Sequence, residues 1–178
     1  MDLTLLAQKA HDNAVKHGFW DDKLSDEHFL MLIITEISEA VEAHRQNRTA
    51  DMSHKSTICI ADKINTTEFE LYIKDSLQDE LADTAIRLLD LAGRHCINFG
   101  LMKPCGYVRA FDNYTFTENA FALVRGLSRD YISIVKRIQF GLHYLQSWCE
   151  SLNINLELHI DYKMKYNATR PIRHGKKY

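Results

Sequence analysis

An all-α fold is what this sequence predicts, a helical bundle of about five to six helices, and three observations predict it. The chain of 178 residues holds only 7 Gly and 2 Pro, few breakers for this length, so long helices are expected. Apolar residues recur at helical spacing, and no stretch alternates with strand period for long. Two pairs of acids, Glu36/Glu39 and Glu80/Asp83, sit three residues apart inside runs that otherwise read as helix. The length suits one ordinary domain with a real core, and 1–178 reads as a single domain.

In chain order, Leu3 to Lys16 reads as an amphipathic helix with Leu6, Ala10 and Ala14 on one face, closed by His17-Gly18. Phe19-Trp20 then falls in a turn, where the pair either caps the core or offers a stacking surface to a base. Ser25 or Asp26 caps the next helix, which carries Glu36 and Glu39 and runs to about Gln46. Residues 47 to about 67 are polar and non-periodic, an excursion in which Ile58-Cys59-Ile60 could be extended. The spacing Thr67-Glu68-Phe69-Glu70 predicts a capped helix start, and that helix runs through Glu80 and Asp83 to about Phe99. Residues 100–116, with Tyr107, Phe111, Tyr114 and Phe116, read as an ordered loop. Thr117-Glu118 opens a further helix, broken or bent near Gly126-Leu127-Ser128, and another follows over 129–152. Leu156 to Thr169 is the last helix, stopped by Arg170-Pro171 and followed by a basic tail.

Composition narrows the function. Hydrophobic residues at 46% and charged residues at 26% exclude a disordered chain. A net charge of −2 supplies no basic excess for a nucleic-acid partner. No apolar run is long enough to span a membrane, and Met1-Asp2-Leu3 does not open a signal peptide. Cys59, Cys96, Cys105 and Cys149 lie far apart with no CxxC, which fits reduced thiols in a cytoplasmic protein and no zinc site.

The acids carry the chemistry. Residues three apart on a helix lie roughly 60° apart around its axis, so each pair projects to one side of its helix. Burying carboxylates among Leu32, Ile33, Leu77 and Leu81 is costly unless something neutralises them. Glu36, Glu39, Glu80 and Asp83 facing one another would form an oxygen-only site for a hard cation such as Mg²⁺. Lys163, Asn167 and Arg170 follow one face of the last helix and suit phosphate groups, the plain alternative being basic residues favoured by the helix dipole.

In order, Glu36-Ile37-Ser38-Glu39, Glu80-Leu81-Ala82-Asp83 and the KxxYN segment Lys163-Met164-Lys165-Tyr166-Asn167 resemble the all-α nucleoside triphosphate pyrophosphohydrolases of the MazG type. Lys16-His17-Gly18-Phe19-Trp20 resembles the stretch before that family's first motif. The resemblance implies Mg²⁺-dependent cleavage of an NTP or dNTP between its α- and β-phosphates, Mn²⁺ being a possible substitute. It implies metal ligation and catalysis by the four acids, one of them, Glu39, orienting the attacking water, with phosphate or sugar contacts from Lys163 and Asn167 and a base contact from Trp20. It also implies a homo-oligomer, dimer or tetramer. Two features depart from the family: Thr35 stands where many members have a further Glu, and the interval from Glu39 to Glu80 is long. A non-catalytic nucleotide-binding or regulatory protein on the same scaffold is the competing expectation.

Overall fold

The computed structural model describes residues 2–102, 109–175 and 177. Tyr107, Cys105 and the middle of the expected loop over 100–116 lie outside them. The class is all-α, but the described residues form eight α-helices rather than five or six, with one two-stranded hairpin.

α1 (Leu3–Lys16) is capped by Asp2, whose side chain accepts from the Thr4 and Leu5 amides. α2 (Asp26–Arg45) starts at Ser25, the expected cap, which accepts from the His28 amide. The polar excursion that follows is folded: α3 (Lys55–Ile58), strands β1 (Cys59–Ile60) and β2 (Lys63–Ile64), and α4 (Thr66–Tyr72). The hairpin turns through Ala61 and Asp62, both at positive φ, the conformation a tight two-residue connection demands. α4 is capped by Asn65, not Thr67. Ile58, Phe69 and Ile73 from this excursion pack with Tyr162 and Tyr166 into a small second core.

The single helix expected over 67–99 is two. α4 ends at Tyr72, Asp75 turns the chain at φ +59°, and Ser76 caps α5 (Leu77–Arg94) by accepting from the Asp79 amide. Aspartate tolerates the left-handed region better than most residues, so the chain breaks here without Gly or Pro.

α5 is the centre of the molecule: eleven of its eighteen residues are buried, and it packs against α1, α2, α7 and α8. Gly93 allows the closest approach, since a Cβ there would meet Ala7 O of α1 at 2.6 Å. α6 (Phe116–Leu127) opens on a capping box between Thr115 and Glu118. α6 ends at Leu127 with Ser128 as its C-cap, at the expected break, and Gly126 stands in its last turn because a Cβ there would fall 1.9 Å from Phe140 of α7 (Ile134–Ser151). α8 (Leu156–Asn167) closes the bundle against α5. Among the described residues no helix is long and apolar enough to cross a membrane.

Candidate metal centre and its pocket

Each helix of the α2/α5 seam carries acid where its buried stripe would otherwise be apolar. On α2 the buried positions Phe29, Ile33, Glu36, Ile37, Ala40 and Ala43 follow the helical repeat, and Glu36 takes one of them. On α5 the break at Asp75 turns Asp79 and Glu80 into first-turn residues. Unsatisfied amides and the helix dipole favour negative charge there.

Ligand oxygens of Glu36, Glu80 and Asp83 lie within 4.8 Å of one another, and so do those of Asp75, Asp79 and Glu80. Two cations enter this acid group. Lys163, 5% exposed, sets Nζ 2.7 Å from Asp79 Oδ2 and 2.8 Å from Asp83 Oδ2. Arg87 donates Nε to Glu36 Oε1 at 2.5 Å. Asp75 is exposed and pairs with Lys74 at 2.9 Å; the other four carboxylates face two cations, and the surplus is visible in the acidities. Burial, reinforced by Asp83 and Asp79, pushes the Glu80 carboxyl up to about 8. Burial raises Asp79 to about 6 despite Lys163, and raises Glu36 against the pull of Arg87. Burial opposes the charge on Lys163, but Asp83 and Asp79 outweigh it and hold the ammonium above its ordinary range.

Such a group suits one more cation. Its donors are all carboxylate oxygens, the set preferred by Mg²⁺ and Mn²⁺. Among the described residues Asp79 Oδ1 is buried without a hydrogen-bond partner, so acceptor capacity remains unused in the group.

Of the four expected ligands, Glu36, Glu80 and Asp83 come together. Glu39 does not join them; it is exposed, although it still presses electrostatically on Glu36 and Glu80. Asp79 and Arg87 are additions to the expected set. Arg87 stands four residues after Asp83 and seven after Glu80, the spacing that keeps a side chain on one helix face.

Beside the acids opens a pocket lined by Glu36 and Asp83 and walled by α1, α2, α5, α8 and the segment that carries Arg170 and His174. Phe19, Leu24, Phe29 and Leu32 make its apolar side, and Asn167 and Arg170 contribute from the end of α8. Asn167 is 6% exposed, and its Oδ1 has no partner among the described residues. Lys163, expected beside phosphate, is engaged by Asp79 and Asp83 instead. Trp20 is not in the lining. Its ring stacks on Phe29 at 4.1 Å, Arg94 lies 4.7 Å above it, and its N–H donates to Asp90 Oδ1 at 2.9 Å. It therefore supports the wall that Phe29 presents.

The last residues complete the enclosure. Arg173 donates its amide to His17 O at 2.8 Å and its Nε to Gly18 O at 3.1 Å, and pairs with Asp22 at 2.9 Å. These ties bring His174 to the pocket, edge-on to Phe19 at 5.1 Å. No protein-family model, curated protein or solved structure matches this chain.

Proposed function

We propose that this chain is a metal-dependent nucleoside triphosphate pyrophosphohydrolase of MazG-like fold, acting in the cytoplasm as a homo-oligomer. The single observation that carries the reading is the convergence of Glu36, Glu80 and Asp83, two of which line a pocket that is apolar on one side and carries Arg87, Asn167 and Arg170 on the other. Nucleotides need both halves: a flat base that buries against Phe19 and Phe29, and a polyphosphate that carries cations and metal with it.

Glu36, Glu80 and Asp83 would hold Mg²⁺ or Mn²⁺. When bound, the ion supplies charge neutralisation to the phosphate oxygens and to the developing negative charge of the reaction. The chain's own groups do the rest. Arg170 brings positive charge to the polyphosphate, Lys163 holds Asp79 and Asp83 in place, and Asn167 contacts the ligand, its Oδ1 accepting from a sugar hydroxyl or its amide N–H donating to phosphate. Glu39, exposed beside the acid group, orients the attacking water and accepts its proton. Trp20 keeps Phe29 upright against the base.

The competing reading, a nucleotide-binding protein without catalysis, draws support from Lys163 and Arg87, which let the acids sit together without a metal. Incubation with a panel of NTPs and dNTPs plus Mg²⁺, resolved by chromatography, decides between them. Monophosphate and pyrophosphate are expected. A diphosphate product defeats the assignment, and tight binding without turnover favours the competing reading.

A further inference from the structure

Arg87 has more hydrogen-bonding capacity than the protein uses. A guanidinium carries five N–H donors in a planar fork, and among the described residues Arg87 spends only Nε, on Glu36. Helical neighbours do not claim the remainder. Asp83, four residues before it, is held by Lys163 at 2.8 Å. Asp90, three residues after it, is held by His11 at 2.7 Å and by the Trp20 N–H at 2.9 Å. These are the positions from which a carboxylate ordinarily captures a helical arginine. Both are committed elsewhere, and Arg87, 26% exposed, lines the pocket between them.

We propose that Arg87 binds a phosphate group of the pocket's ligand through its terminal nitrogens while its Nε holds Glu36 in the acid group. The assignment rests on the phosphate-binding reading of the pocket and adds a residue to it. A planar fork matches two phosphate oxygens at once, which an ammonium cannot do. The same side chain then links ligand and acids, since a phosphate drawn to its terminal nitrogens arrives beside Glu36. Glu36 stays in place because its contact is with Nε, which leaves both terminal nitrogens to the ligand.

The test uses the whole chain with Mn²⁺ and inorganic tripolyphosphate, a probe that removes base preference from the question. Calorimetry measures Mn²⁺ binding first and tripolyphosphate binding second, for wild type, Arg87→Lys and Arg87→Ala. Expected is a loss of tripolyphosphate affinity of roughly ten- to a hundredfold in Arg87→Ala, several times larger than whatever change in Mn²⁺ affinity follows from freeing Glu36. Arg87→Lys keeps the charge but not the fork and falls between the two. If wild type binds the probe and both variants bind it equally well, the assignment to Arg87 is overturned while the phosphate-binding reading stands. If wild type itself binds no tripolyphosphate, both fall together. Parallel loss of Mn²⁺ and probe in both variants would mean that Arg87 serves Glu36 alone, which also overturns the ligand contact.

Discussion

Lys163 Nζ lies 2.7 Å from Asp79 Oδ2, and both side chains are almost wholly buried, so α8 is pinned to the first turn of α5 by a buried ion pair. Removing one partner of such a pair strands the other's charge in a poor dielectric. Lys163→Met should therefore lower stability by about 3–5 kcal/mol. Lys165, two residues on, pairs with the exposed carboxylates of Asp62 and Asp161, and Lys165→Met should cost less than about 1 kcal/mol. Urea denaturation of the two variants checks the contrast; equal losses would contradict the pinning.

The separation of Glu39 from the tight acid group gives Glu39 and Glu80 different duties. Glu80→Gln should abolish both turnover and the rise in melting temperature that Mn²⁺ produces by binding the folded state. Glu39→Gln should abolish turnover while leaving that rise intact, because its carboxylate is exposed and lies outside the group. Melting curves with and without Mn²⁺, read beside initial rates, distinguish the two; a Glu39→Gln protein blind to Mn²⁺ would place that residue among the ligands.

Acid should destabilise the protein through His159. Burial drives this imidazole down to about 4, and its Nδ1 has no partner. A lowered folded value means the neutral form is the stabilising one. The contribution is complete above the unfolded value near 6.5 and is lost as pH falls from there through 4, by about 3 kcal/mol in all. His159→Phe should flatten the stability profile between pH 6.5 and about 4. A wild-type-like slope in that variant would assign the acid sensitivity elsewhere.

Gly126 marks where α6 and α7 touch most closely. Alanine there would press its Cβ into the Phe140 ring, 1.9 Å from Cε1, and should destabilise by about 1–3 kcal/mol. Combining it with Phe140→Leu should recover part of the loss, because the two changes act on one contact. Additive losses in the double variant would show that the cost lies in the helix backbone.

How far the site could be read from the sequence depended on whether its signal was local. Glu36 sits on the stripe of Phe29, Ile33 and Ala40, so its burial follows from periodicity alone. Glu39 shares its spacing but falls toward exposed Thr35, and a rotation of roughly 60° per three residues is enough to carry it out of the seam. The break before α5 hid for want of Gly or Pro, although Ser76 three residues ahead of Asp79 is a cap spacing. The second core was out of reach: Ile58, Phe69 and Ile73 show no common period, and their partners Tyr162 and Tyr166 come some ninety residues later. Lys163 read correctly as a cation on a helix face. Its partner, 84 residues away, could not be inferred from spacing.

That 84-residue separation bears on how the molecule reaches its fold. α2 and α5 are close in sequence and can meet early, but meeting brings Glu36, Glu80 and Asp83 together before α8 can deliver Lys163. Until then the half-formed seam repels itself, and closing the long loop adds an entropic charge of its own. The barrier to refolding is thus electrostatic as well as topological. A small amount of divalent cation would act as a stand-in for Lys163, lowering that barrier and letting the last helix arrive at a seam already at rest.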